Sequence, residues 1–174
     1  MKKLIGIIGG RTENTSEEAC ELAEAVGIEI AKRGFGLICG GGDGTMEATC
    51  RGCQQAGGTT IGVLKWNHSK DANPFIDFAI PTSMDLARNN IIVWAASGVI
   101  AFEGRYGTTS EMSLALDIEK PLIVVGDNFL LPDEVFEAPD HCTRMVGNNP
   151  EQAGQIVDKL LLMIESHDPL KFAR

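Results

Sequence analysis

Three stretches of the sequence put glycine and hydroxyl residues where an apolar run gives way to a helical pattern. They are "IIGGRT" with Gly9, Gly10 and Arg11, "CGGGDGTME" with Gly41, Gly42, Gly44 and Thr45, and "EGRYGTTSE" with Gly104, Arg105, Gly107, Thr108, Thr109 and Glu111. Glycine at such a point permits positive φ and lets backbone N–H groups come close to a ligand, while the amino end of the following helix supplies partial positive charge. The chemistry that results is the holding of an anion, a phosphate above all. A single turn of this kind reads equally well as tight packing. Three of them at equivalent ends of one parallel sheet converge on a common crevice.

The spacings exclude the best-known alternatives. A P-loop requires GxxxxGK[ST], and the sequence has no glycine-lysine pair of that kind. A dinucleotide fingerprint requires GxGxxG after the first strand, which "GIIGGRT" does not supply, and the second strand ends in glycines where a ribose-binding acid is expected. A pyridoxal-phosphate lysine is unsupported, because Lys70 in "NHSK" follows its histidine in the wrong order for that signature.

The elements that must position these turns follow from the apolar pattern. "KLIGIIG", "FGLICG", "TTIGVLK", "FAIPT", "GVIAFE", "PLIVVG" and a weaker "TRMVG" read as strands, and their near-continuous apolarity suggests burial on both faces of a parallel sheet. Between them lies a strong amphipathic helix over 15–34, with Ala19, Leu22, Ala23, Val26 and Ile30 on one face, Thr15 or Ser16 as cap, and Gly34 as terminator. Further helices are expected over about 45–56, 84–96, 108–118 and 150–165. The order predicts an α/β fold, a three-layer doubly wound parallel sheet of six to seven strands with helices on both faces, in a single domain over 1–174. The irregular stretch 65–77 reads as a surface loop or as a wall of the crevice.

Composition narrows the partners. A chain of 174 residues with formal charge -9 repels nucleic-acid backbones and anionic membranes, so any anion site must be local. The amino-terminal apolar run is too short for a signal segment, and no stretch reaches membrane-span length. Five scattered cysteines suit a reducing cytoplasm, with Cys50 and Cys53 reading as small buried residues on a helix rather than as zinc ligands. No metal site is expected, and His68, His141 and His167 read as solvated.

The segments "GGGDGTMEATCRGCQQAGGTTIGV" and "MDLARNNIIVWAASGVIAFEGRYGTTSE" resemble the Rossmann-type family of Lonely Guy phosphoribohydrolases and molybdenum-cofactor carrier proteins, some of which carry a lysine-decarboxylase label. The resemblance extends to about position 125, and "GGGDGTMEA" and "LARNN" look closer to the carrier-like branch. Its most specific part is an arginine, a buried strand and then PGGxGTxxE. Here the arginine falls on Arg88, fifteen residues before Glu103, and the terminal acid falls on Glu111.

The resemblance implies cleavage of the N-glycosidic bond of a nucleoside 5′-monophosphate, or carriage of a molybdenum cofactor or a nucleotide. No cofactor is required, since the nucleotide or molybdenum cofactor would itself be the ligand. Glu111 would stabilise the sugar cation or position water, Arg88 would orient the substrate, and Gly104, Gly107, Thr108 and Thr109 would hold the phosphate. Alone, Glu111 reads as a first-turn helical acid and Arg88 as a surface ion pair. Glu103 stands where the family has proline, Arg105 where it has the second glycine, and Asn89 where the hydrolases usually have lysine. Arg105 at a positive-φ position costs about 1–2 kcal/mol; alternatively it offers a fork to a phosphate or to Glu103. The resemblance also implies a homodimer or higher homo-oligomer, to which the helix carrying Ile91, Val93 and Trp94 would contribute unless it is simply core.

Overall fold

The computed structural model describes residues 3–126, 130–132, 134–137, 140–147 and 149–167. All seven expected strands form: β1 (Leu4–Ile8), β2 (Gly36–Cys39), β3 (Thr60–Leu64), β4 (Phe78–Pro81), β5 (Gly98–Ala101), β6 (Leu122–Val125) and β7 (Cys142–Met145). They make one parallel sheet in the order β4-β3-β2-β1-β5-β6-β7. The chain winds outward from β1 to β4, then crosses back and winds the other way from β5. The direction therefore reverses between β1 and β5, the point at which ligands bind in open sheets.

The helices are α1 (Glu17–Lys32), α2 (Thr45–Gln55), α3 (Asn89–Ala95), α4 (Tyr106–Asp117), α5 (Glu134–Glu137) and α6 (Ala153–Ser166). Strand side chains alternate between two apolar layers. Ile5, Ile7, Leu37, Cys39, Ile100 and Phe102 pack against α1, α2 and α6, whereas Ile8, Ile38, Val99 and Ala101 pack against α3 and α4. The expected doubly wound fold is thus the observed one.

Ser16 is the cap of α1, accepting from the Ala19 N–H at 3.2 Å, while Thr15 donates its hydroxyl to Arg11 O. Gly34, at φ 81, ends the helix. α1 and α2 cross closely enough that a Cβ on Gly27 would overlap Thr49 O, and one on Gly52 would overlap Glu24 O. Cys50 and Cys53 are buried on α2, as small residues facing the sheet.

Two expectations change. The helix expected over 84–96 divides into a 3-10 turn, Asp85–Arg88, and α3. The cause is that the preceding backbone is tied elsewhere: Ser83 N–H bonds Trp66 O at 3.0 Å and Asp85 N–H bonds Lys65 O at 3.2 Å, with φ of 57 and 46 at these two residues. Strand β4 is exposed at every position, although its apolar sequence suggested burial. It is an edge strand, and no helix lies between it and β3 to cover it. No helix among the described residues is long and apolar enough to cross a membrane.

Candidate functional site

The carboxyl ends of β1, β2, β3 and β5 lie along one edge of the sheet, and the three glycine turns meet there. Gly10 N–H donates to Glu103 O at 2.6 Å, and Gly10 O accepts from Thr45 N–H at 3.3 Å and from Thr45 Oγ1 at 3.4 Å. One residue of the first turn therefore ties the other two together. Gly44, at φ 68, leaves only 2.5 Å between an added Cβ and Gly10 O, so this approach admits glycine alone. Gly41 N–H bonds Cys39 Sγ, and Asn73 grips the same turn, its N–H on Gly41 O and its Nδ2 on Gly42 O, both at 2.9 Å.

The third turn resolves what the sequence left open. Helix α4 starts at Tyr106, two residues earlier than expected, so Glu111 falls outside its first turn. Arg105 has φ -120 and ψ -148, so its φ is negative and the strain of a positive-φ position does not arise. Glu103 does not point its carboxylate at an anion: Oε2 accepts from Ser16 N–H at 3.1 Å, at the amino end of α1, where a negative charge is favoured. Thr109 donates its hydroxyl to Arg105 O at 3.0 Å, and its N–H already bonds the same carbonyl.

A cavity of about 210 Å³ opens between these turns. Of the residues singled out from sequence, Gly9, Gly10, Arg11, Gly42, Arg88, Arg105, Gly107, Thr108 and Glu111 line it. Gly41, Gly44, Thr45, Gly104 and Thr109 do not line it; the first four shape the turns behind it. A Cβ on Gly107 would meet nothing, so that face of α4's first turn is open to the cavity.

At its centre Arg88 Nη1 stands 3.4 Å from Glu111 Oε1, with the two side chains only 13% and 8% exposed. Neither is the surface group that sequence alone suggests. Burial pushes the Glu111 carboxyl up to about 7, against the opposing pull of Arg88. The Arg88 guanidinium lies over Gly40, where a Cβ would come within 2.5 Å of Nη2. Asn89 donates to Ser110 Oγ at 3.1 Å and to Gly107 O at 3.4 Å. Arg88 Nε and Asn89 Oδ1 are buried without a hydrogen-bond partner among the described residues, which is unusual for buried polar atoms and leaves one donor and one acceptor to serve a ligand.

Arg11, Lys65, Arg88 and Arg105 set four positive charges around the cavity, and Glu111 is the only acid among its described lining residues. A strongly acidic chain thereby acquires a locally positive crevice. Lys65 and Trp66 begin the stretch 65–77 that the sequence offered as a surface loop or a wall of the crevice, and both line the cavity. Asn73, in the same stretch, holds the second glycine turn instead. Met46 and Leu86 escaped sequence reasoning.

The family model described as the SLOG cluster4 family (LDcluster4) matches residues 2–156. An uncharacterized protein of Archaeoglobus fulgidus is 37% identical over 144 residues, which cover 78% of this chain and 89% of that one. A cytokinin riboside 5′-monophosphate phosphoribohydrolase of Mycobacterium marinum is 34% identical over 101 residues, 56% of this chain and 54% of the relative, so the match spans about half of it. Among solved structures, the molybdenum cofactor binding protein of Rippkaea orientalis is similar with TM-score 0.79 and 33% identity, over 92% of this chain and 98% of the other. The molybdenum cofactor carrier protein of Chlamydomonas reinhardtii gives TM-score 0.78 and 30% identity, over 93% and 99%.

Proposed function

This chain belongs to the SLOG cluster4 family, a Lonely Guy-like group, and from that premise we propose that it binds a phosphorylated, nucleotide-like ligand in the β1–β5 crevice and hydrolyses the N-glycosidic bond of nucleoside 5′-monophosphates. The observation that carries the reading is the buried Arg88–Glu111 pair set beside the open amino end of α4 in one cavity. The phosphate lies against the first-turn N–H groups of α4, with Gly107 and Thr108, and is neutralised by Arg105. This places the sugar beside Glu111. As the bond to the base loosens, the ionised carboxylate stabilises positive charge at the sugar carbon and draws the proton from an attacking water. Water adds hydroxyl to the sugar and a proton to the base, yielding free base and ribose 5-phosphate with no cofactor.

A second reading, a carrier of molybdenum cofactor or of a nucleotide, is supported by the names of the two solved structures and the near-complete overlap with them. Incubation with AMP and other nucleoside monophosphates, followed by chromatography for free base, separates the two. Base release supports hydrolysis. Selective binding without release, measured across a nucleotide and pterin panel, supports the carrier. Absence of both binding and release overturns the ligand reading itself.

Self-association is also proposed, with a second copy of the chain on the open edge of the sheet. Phe78 and Ile80 of β4 are 61% and 46% exposed, Met84 and Leu86 in the segment that follows β4 are exposed as well, and so are Ile91 and Trp94 on α3. An edge strand carries unpaired backbone groups and can face its own copy across a two-fold axis. Val93, expected on this face, packs instead in the core below it. Leu86 belongs both to this surface and to the cavity, so the contact would border the site. The double variant Ile80→Glu, Trp94→Glu is expected to sediment as a monomer with an unchanged far-ultraviolet spectrum. A monomeric parent protein at micromolar concentration would refute the dimer.

A further inference from the structure

The cavity is chemically two-sided, and the anion-binding turns explain only one side. Its lining also carries three apolar side chains, Trp66, Leu86 and Met46. Trp66 follows β3, which lies three places from β5 in the sheet, a separation of about 14 Å at the usual strand spacing. The indole thus stands across the crevice from the amino end of α4. Ser83 and Asp85 hold the Lys65 and Trp66 carbonyls through their N–H groups, which fixes the strand end and brings Leu86 alongside.

Three groups already treat the indole as a π surface. Lys65 Nζ lies 5.0 Å from its ring centroid, the Arg11 guanidinium carbon 5.7 Å, and the His68 ring is parallel to it within 7° at 6.3 Å. Arg11 reaches this position from the β1 turn on the far side of the crevice. Its side chain is 45% exposed, and its ion pair with Asp43 is long, 3.6 Å, so its head group is loosely held.

We propose that Trp66 is the stacking platform for a flat nitrogen heterocycle, a purine or a pterin, which enters between the indole and the Arg11 guanidinium while the ligand's phosphate rests at α4. This assignment rests on the proposed ligand class and deepens it. An aromatic face recognises the ring by shape and polarisability, and a guanidinium covers its other face without demanding one hydrogen-bond pattern. A phosphosugar without a base fills the phosphate end and leaves the platform bare.

The test separates ring from phosphate. The chain has two tryptophans, and Trp94→Phe leaves Trp66 as the only indole emitter. In that background, titration with AMP or neopterin monophosphate is expected to quench emission, whereas ribose 5-phosphate binds by calorimetry without quenching. Trp66→Ala is expected to weaken the ring-bearing probe about tenfold or more and to leave ribose 5-phosphate affinity unchanged; Trp66→Phe retains most of the affinity. Equal binding of AMP and of neopterin monophosphate by the alanine variant and its parent, or binding of them without quenching, overturns the platform while the phosphate site stands. Ribose 5-phosphate binding with no ring-bearing probe bound overturns the platform in the same way. Failure of every probe overturns the platform together with the ligand class beneath it.

Discussion

Replacing Glu111 by glutamine is expected to lower base release from AMP by about 10²–10⁴-fold and, at pH 8, to raise the melting temperature. Both effects arise from the same burial. The carboxyl is pushed up to about 7, whereas an unfolded glutamate titrates near 4.3. Between those values the folded chain binds more protons than the unfolded chain. Stability therefore falls as pH rises through that window, by about 4 kcal/mol in all. Glutamine has no proton to lose, so the variant keeps its stability above pH 7 while the parent does not. Melting curves from pH 4 to 8 check the stability half. For activity, the ionised form acts on water, so release in the parent should climb with pH and level off above about 7. Full release by Glu111→Gln would remove Glu111 from the chemistry.

Arg88→Ala carries the second large effect. The guanidinium is nearly buried, faces Glu111, and holds an Nε with no partner among the described residues. Loss of charged hydrogen bonds to a ligand is worth about 1.5–3 kcal/mol, so affinity for AMP should fall about tenfold to a hundredfold. The variant also removes the positive charge that holds the Glu111 carboxyl down, so that carboxyl rises further and any remaining activity shifts to higher pH. Arg88→Lys restores the charge but not the planar fork, and should recover the pH profile better than the affinity. Calorimetric titration with AMP and a pH series on each variant measure both. Binding by Arg88→Ala at the parent's affinity would mean that the ligand lies elsewhere.

Much of the fold was legible because it depends on runs and periods. Seven short apolar runs became seven parallel strands, and the 3.6-residue spacing of Leu22, Val26 and Ile30 became the buried face of α1. Strand β4 shows the limit of that reading. "FAIP" is as apolar as a buried strand, but apolarity does not say which neighbour, if any, will cover it. The helix expected over 84–96 shows another, since Asp85 near its start spends its N–H on the Lys65 carbonyl twenty positions upstream.

The glycine turns, their hydroxyl residues and the choice of Arg88 and Glu111 as site residues are written in residue type and spacing, because a turn's backbone freedom and a family's motif are legible along the chain. Tertiary structure decided the rest. It turned Glu103 toward α1, gave Arg105 a negative φ, buried Glu111 so that its carboxyl titrates near neutrality, and carried Lys65 and Trp66 across from β3 to complete the cavity. Each of these depends on which elements stand next to one another in space. Side-chain direction, desolvation and the meeting of distant loops are set by that neighbourhood, and the order of residues along the chain does not contain it.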